Sequence, residues 1–201
     1  YKEALQKPLE EIRRHFDISA SRDDPVADEN LQPRTRGNIL MDISNRLRDL
    51  RILVLSTGNK TELALGYCTL YGDMAGGLGV LSDVSKLEVY NLARYLNRRA
   101  GREIIPETIF KKKPSPELKA NQFDPFDFDI VSPMVDKIVE NRRGKRELLE
   151  MGYPEDVVED IYDRIRAAEY KRRQAPPGVK ITPRAFGKDR RLPITNRYRE
   201  G

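Results

Sequence analysis

The sequence predicts an α/β fold, a parallel sheet followed by a helical C-terminal extension, and three observations predict it. Arg51-Ile52-Leu53-Val54-Leu55-Ser56-Thr57 is a short continuous apolar run stopped by Gly58, the pattern of a strand buried on both faces of a parallel sheet. A helix is expected directly behind it at 60–70, so the chain passes from strand through a glycine turn to a helix N-terminus. Beyond residue 133 the apolar positions recur at helical spacing.

The elements follow in order. In residues 1–16, Leu5, Leu9, Ile12 and Phe16 stand at helical spacing among charged residues, which predicts an amphipathic helix kinked or started near Pro8. Residues 19–30 are rich in breakers and predict a loop. A second helix is expected after Asp28 to Asn30, with Pro33 in its first turn and Leu40, Ile43 and Leu47 buried. The strand at 51–57 and the helix at 60–70 come next, then a loop from Gly72 to Gly79 that also holds Gly76 and Gly77. Ser85 and Glu88 predict a capping box for a helix running to about Arg98. Residues 104–132 carry Pro106, Pro114, Pro116 and Pro125 and several aromatic-acidic units, and predict an extended connection. Helices are expected at 133–142, 144–151 and 154–173, the last with Val157, Val158, Ile161, Ile165 and Ala168 as its buried stripe. Pro176-Pro177-Gly178 ends it.

Composition narrows the chemistry. The 201 residues suit one domain with a single core. No apolar run approaches the roughly 20 residues that cross a bilayer, and no secretory leader is expected. One cysteine, Cys68, cannot make an intrachain disulfide, and a reducing, cytoplasmic setting is the default expectation. His15 is the one histidine, so Ser-His-Asp and Cys-His catalysis are excluded unless it supplies the base, and a His-rich zinc site is excluded too. Residues 171–201 hold ten Lys or Arg against Asp189 and Glu200, a local charge of +8 that leaves −3 on residues 1–170. Two readings of that tail stand: a solvated end, or a binder of phosphates, nucleic acid or an acidic neighbour.

The unit that carries chemistry is the strand followed by Ser56-Thr57-Gly58-Asn59-Lys60-Thr61-Glu62. A parallel strand feeding a glycine turn and a helix N-terminus presents backbone N–H groups and the helix dipole to an anion. Thr57 adds a hydroxyl at the carboxyl end of the strand, the usual ligand edge of an open α/β sheet. Glu62 can take a hard cation such as Mg²⁺, or simply face the helix dipole. Tyr67 can offer a stacking ring or pack in the core. The glycines around Tyr71-Gly72-Asp73 let a ligand or another backbone approach closely. Lys86 is a point charge suited to polyphosphate, or an ordinary exposed lysine.

These residues resemble one family: NAD synthetase, and within it the synthetase portion of the glutamine-dependent form. The resemblance runs from Glu29-Asn30-Leu31-Gln32-Pro33-Arg34-Thr35-Arg36-Gly37 through Ser56 to Leu63, Tyr71-Gly72-Asp73, Lys86 and Lys113-Pro114-Ser115-Pro116-Glu117-Leu118. It continues in Tyr170-Lys171-Arg172 and in the closing stretch from Pro176 to Arg197, and so covers nearly all of the chain. The resemblance implies a Rossmann-like parallel sheet of the adenine-nucleotide alpha-hydrolase (ATP pyrophosphatase) type. Residues 1–175 would be a partial synthetase domain, and 176–201 a basic tail.

The reaction it implies is ATP- and Mg²⁺-dependent amidation of deamido-NAD to NAD through an adenylated intermediate. Thr57, Lys86 and Ser115 match positions that contact ATP, and Glu62 matches the carboxylate that binds Mg²⁺. Arg34 and Lys171 match contacts to deamido-NAD. Tyr67 to Leu70 fall around its nicotinic acid end, and Glu62 and Asp73 are placed with that substrate as well. Leu70, Gly77 and Tyr170 stand where the ammonia-dependent type has lysine, aspartate and histidine, and agree with the glutamine-dependent branch. The family's Ser-Gly-Gly-x-Asp-Ser phosphate loop does not occur in these 201 residues, nor does its glutamine-hydrolysing domain. The expectation is a portion of a longer protein, inactive by itself, whose ammonia comes from a glutaminase domain. A homo-oligomer is expected, and neither a membrane nor a nucleic-acid partner. Two rivals are another ATP-pyrophosphatase ligase, such as a GMP or asparagine synthetase, and a basic nucleic-acid-binding module.

Overall fold

Two short parallel strands mark where the sheet, the following helix and the C-terminal tail meet. In this computed structural model, which describes residues 2–15, 25–118 and 121–196, β1 (Leu55–Ser56) pairs with β2 (Leu78–Gly79). The register sets Leu55 against Leu78 and Ser56 against Gly79, and an isolated parallel bridge joins Gly79 to Gly178. The tail therefore continues the sheet: the Gly79 N–H donates to the Pro177 carbonyl at 2.8 Å. The glycines before β2 serve this approach. A Cβ on Gly76, whose φ is 151°, would sit 2.9 Å from the Val54 oxygen, while the Gly77 N–H donates to that same oxygen.

Around the strands run α1 (Lys2–His15), α2 (Pro25–Arg46), α3 (Lys60–Leu65), α4 (Lys86–Ala100), α5 (Glu107–Lys111), α6 (Phe128–Val139), α7 (Lys145–Glu150), α8 (Glu155–Ala167) and α9 (Glu169–Arg172). The core lies between α3, α6, α7 and α8. Ala64 and Leu65 meet Val131, Met134, Val135, Ile138 and Val139 of α6, Leu148 of α7, and Val158, Ile161 and Ile165 of α8. Of the stripe expected for the last long helix, Val158, Ile161, Ile165 and Ala168 are buried and Val157 is half-buried against the core. Burying each of these Val and Ile side chains contributes about 1.5–3 kcal/mol. The helix is nevertheless two pieces, because α8 ends at Ala167 and α9 restarts at Glu169.

Several expectations change. The helix predicted at 1–16 is α1 and runs through Pro8; Ile12 is exposed, while Phe16 and the side chains of Leu5 and Leu9 lie outside the described residues. The second helix starts at Pro25 instead of after Asn30, so Pro33 is its ninth residue and buried, not part of the first turn. The rest of the loop predicted at 19–30 lies outside the described residues. Pro33 packs on the turn after α3, where a Cβ on Gly72 would meet it at 3.0 Å. Leu40, Ile43 and Leu47 are 40–48% exposed, not buried, and Leu53 and Leu55 are exposed too. The reason is geometric: two strands of two residues each cannot cover a 22-residue helix or enclose a strand on both faces.

Helix boundaries shift for local reasons. α3 stops at Leu65 rather than at residue 70 because Gly66 takes the left-handed conformation, φ 66°, and its N–H returns to the Glu62 carbonyl. A Cβ there would also lie 2.7 Å from the Ala168 Cβ. The loop predicted up to Gly79 contains β2, and the connection predicted at 104–132 contains α5 and the start of α6. α6 begins five residues before Pro133 because Asp127 caps it, accepting the Asp129 N–H at 3.0 Å.

Candidate functional site

The local geometry begins with a cap that the sequence reading assigned elsewhere. Asn59 and Glu62 form the capping box of α3: the Glu62 N–H donates to Asn59 Oδ1 at 3.0 Å and the Asn59 N–H donates to Glu62 Oε2 at 3.2 Å. The pattern Asn-x-x-Glu was the available signal. The box expected at Ser85 and Glu88 does not form, since the Ser85 side chain makes no cap bond. The backbone N–H of Lys86 donates to Thr61 Oγ1 at 3.1 Å, so α3 caps the start of α4.

That arrangement brings Glu62 and Lys86 together. Lys86 Nζ stands 2.9 Å from Glu62 Oε1, with both side chains about one-fifth exposed. Burial pulls the Lys86 pKa down, but the Glu62 carboxylate, with Tyr90 and Asp124, outweighs it and holds the ammonium above its ordinary value of 10.5. The Phe128 ring lies 5.4 Å from Lys86 Nζ, a cation–π contact from the first residue of α6.

The pair opens into a cavity of about 610 Å³. Of the residues singled out from the sequence, Glu62, Tyr67, Asp73, Lys86, Ser115 and Lys171 line it. They come from α3, the turn after it, α4, the segment at Ser115 and α9, so tertiary packing and not sequence proximity collects them. Thr57, Arg34 and Leu70 are not among its walls. Thr57 is exposed beyond β1, and Arg34 Nε donates to the Leu70 carbonyl at 3.2 Å.

Each wall residue has a defined partner. Tyr67 packs edge-on to Phe126, ring centroids 5.3 Å apart, and Asp124 lies beside it on the cavity wall. Burial, followed by the charges of Asp124, Glu29 and Glu62, pushes the Tyr67 pKa well above its ordinary value, so it stays a neutral phenol. Asp73 Oδ1 accepts the Thr69 N–H at 2.6 Å. Ser115 Oγ donates to the Gln122 carbonyl at 2.6 Å and accepts the Glu117 N–H at 3.1 Å. Lys171 Nζ donates to the carbonyls of Gly66 and Cys68.

Sequence reasoning missed Asp124, Glu29, Asn30 and Gln122, which also line the cavity. Asp124 belongs to one of the aromatic-acidic units noted in the sequence, the one signal that could have found it. Burial raises its carboxyl pKa, partly offset by the Tyr67 hydroxyl and Lys86. Lys60 was missed as well: it is 1% exposed and surrounded by Glu140, Asp83 and Asp136 at 2.5, 3.3 and 3.4 Å.

The cavity therefore offers ammonium groups for an anion, a neutral phenol for stacking or donation, and carboxylates for a cation or hydroxyl. Mg²⁺ keeps several waters and takes one or two carboxylates plus substrate phosphates. Glu62 fits that demand, since each of its oxygens accepts one contact and has a second lone pair. Among the described residues no group of three or more His, Cys, Asp or Glu could hold a metal by itself, and no helix is long and apolar enough to cross a membrane.

Comparison with known proteins follows the same lines. The family described as NAD synthase matches residues 2–175. The glutamine-dependent NAD(+) synthetase of Thermotoga maritima is 46% identical over 186 residues, 91% of this chain and 32% of that protein. That of Aquifex aeolicus is 50% identical over 179 residues, 86% of this chain and 30% of that protein. The chain thus spans about a third of the length of the curated relatives it matches. The crystal structure of a glutamine-dependent NAD(+) synthetase from Cytophaga hutchinsonii superposes with a TM-score of 0.68 at 21% identity, covering 97% of this chain and 33% of that one. At that identity the likeness speaks for the fold, and it bears out the Rossmann-like α/β class. A family match over residues 2–175, with identities of 46–50% to these relatives, places the chain in the NAD synthase family.

Proposed function

We propose that this chain is the synthetase portion of an enzyme that converts deamido-NAD to NAD with ATP, Mg²⁺ and ammonia. The observation that carries the reading is the convergence of Glu62, Tyr67, Asp73, Lys86, Ser115 and Lys171 on one cavity in a member of this family. A nicotinate carboxylate oxygen would attack the α-phosphorus of ATP, forming an acyl adenylate and releasing pyrophosphate. Ammonia would then attack the acyl carbon, and AMP would leave with the bonding electron pair as the nitrogen loses a proton. Neither step needs a protein nucleophile, which suits a chain with one histidine and one cysteine.

In this proposal Lys86 neutralises phosphate charge beside Glu62, and bound Mg²⁺ would lower the charge repulsion between carboxylate and triphosphate. Glu62 would hold the metal. Tyr67, kept neutral, would flank the nicotinate end, and Asp73 and Lys171 would take polar groups of the dinucleotide. Thr57, Arg34 and Leu70, which lie off the cavity, would join only through a ligand extending beyond it. The ammonia would come from a glutaminase domain of the full-length parent, and a homo-oligomer is proposed for that protein.

The test is turnover by the purified full-length parent given deamido-NAD, ATP and Mg²⁺, with either ammonium or glutamine. The expected result is NAD formed one for one with AMP and pyrophosphate. No NAD, release of ADP, or equal turnover of xanthosine monophosphate or aspartate would overturn it. Sedimentation of the same preparation reads the oligomer.

A further inference from the structure

Lys60 and Asp83 form a buried node beside the helix N-termini that carry Glu62 and Lys86. Lys60 is the first residue of α3, two before Glu62, and its backbone N–H donates to the Val84 carbonyl at 2.8 Å. Asp83, 3% exposed, is three residues before Lys86. Nζ of Lys60 lies 3.3 Å from Asp83 Oδ1, 2.5 Å from Glu140 Oε1 and 3.4 Å from Asp136 Oδ1.

The other side of Asp83 is held by the tail. Its Oδ2 accepts the N–H groups of Ile181 and Thr182, each at 2.8 Å, and both carboxylate oxygens lie 2.8 Å from Thr182 Oγ1. Thr182 Oγ1 also lies 3.4 Å from Lys60 Nζ and 3.0 Å from the Arg184 carbonyl. A segment 122 residues from Lys60 thus completes a cage around the Lys60–Asp83 pair.

This cage makes no contact with the cavity's ligand space that the Glu62–Lys86 pair faces: of its members, Lys60, Asp83, Asp136, Glu140 and Thr182, none lines that cavity. Its energetic stake is high all the same. One ammonium among three carboxylates is balanced only while the tail's N–H and hydroxyl donors share the charge of Asp83. Without them Asp83 would seek other donors, and the loop from Asp83 to Lys86 would shift against α3.

We propose that Thr182 and Asp83 are positioning residues, the tail fixing the Glu62–Lys86 distance through Asp83 and Lys60. The proposal rests on the functional reading above, in which that pair handles phosphate and metal. It gives the residues after Pro176-Pro177-Gly178 a role in setting the site from behind.

The experiment uses the full-length parent with three variants: Thr182→Val, which keeps the shape and removes the hydroxyl; Thr182→Ser, which keeps the hydroxyl; and Asp83→Asn. Two readouts are taken, steady-state NAD synthesis and the rate at which Lys86 is acetylated by a small anhydride, measured by peptide mass spectrometry against the exposed Lys188. Thr182→Val is expected to lower kcat about tenfold, the usual order for a residue that orients a site from behind, with KM for deamido-NAD unchanged. Lys86 should label faster as its pairing loosens, with Lys188 unchanged, and Thr182→Ser should restore both. Asp83→Asn should exceed Thr182→Val in both readouts. Unchanged kcat and Lys86 labelling in Thr182→Val would overturn the proposal. So would a melting point that falls while kcat per folded molecule holds, or loss of the folded state in both hydroxyl-deficient and Asn variants. If the wild-type parent makes no NAD, the functional reading falls, and the labelling of Lys86 still decides the positioning role.

Discussion

Lys171 donates to the carbonyl oxygens of Gly66 and Cys68 at 2.7 and 2.6 Å, so the ammonium near the end of the helical extension is also the cap on the end of α3. The family resemblance assigns this charge to a contact with deamido-NAD. It is already engaged, yet an ammonium has three donors and Lys171 lines the cavity, which leaves one proton for a bound anion.

Lys171→Ala is therefore expected to have two effects. Losing the charged hydrogen bonds should lower stability by about 1.5–3 kcal/mol, read as a lower thermal midpoint of the full-length parent. Deamido-NAD affinity should fall while ATP affinity stays nearly constant, read by calorimetric titration. An unchanged melting point would show that the cap contributes nothing.

Glu62→Gln should cut NAD synthesis by about 10²-fold, the usual cost of removing one electrostatic contact from a reacting centre. The same change tests the pair with Lys86. Because the folded pKa of Lys86 is raised above 10.5, its stabilising contribution is full below that pH and is lost as pH rises through the higher folded value. Wild-type protein should lose stability over that alkaline window, and Glu62→Gln should lose less there. Parallel alkaline denaturation curves for the two proteins would refute the coupling.

Arg172 is 7% exposed and ties α9 to the core. It pairs with Glu169 Oε2 at 3.0 Å, donates to the carbonyls of Leu63 and Ala64 at 3.1 and 3.2 Å, and lies 4.5 Å from the centre of the Phe186 ring. Arg172→Met should cost up to about 3–5 kcal/mol, since Glu169 stays buried with Arg173, 2.6 Å away and 40% exposed, as its remaining ion-pair partner. Adding Glu169→Gln should recover part of that loss. Urea midpoints of the single and double variants check it.

Cys68 lies in the turn that Lys171 clamps, and burial pushes its thiol up to about 12. A thiolate is the reactive species, so alkylation at pH 8 should run at least about a hundredfold slower than for an unperturbed cysteine. Peptide-level labelling of Cys68 in native and urea-unfolded parent gives the ratio, and comparable rates would contradict the burial.

The sequence by itself determined what depends on neighbours a few residues away. The stripe Val158, Ile161, Ile165 and Ala168 was legible because helical periodicity alone puts those positions on one face, and they are buried. The strand, glycine turn and helix at 55–65 were legible because an apolar run, Gly58 and a polar helix start each act locally. The resemblance named Glu62, Tyr67, Asp73, Lys86, Ser115 and Lys171, and the fold brings these six to one cavity. Only tertiary structure decided what lies opposite each residue. Leu40, Ile43 and Leu53 are exposed because burial needs a facing surface, which periodicity cannot supply. The cage of Lys60, Asp83 and Thr182 was invisible in sequence because its members are as much as 122 positions apart, and a buried ion pair is made by packing that excludes water, not by the residue types that form it.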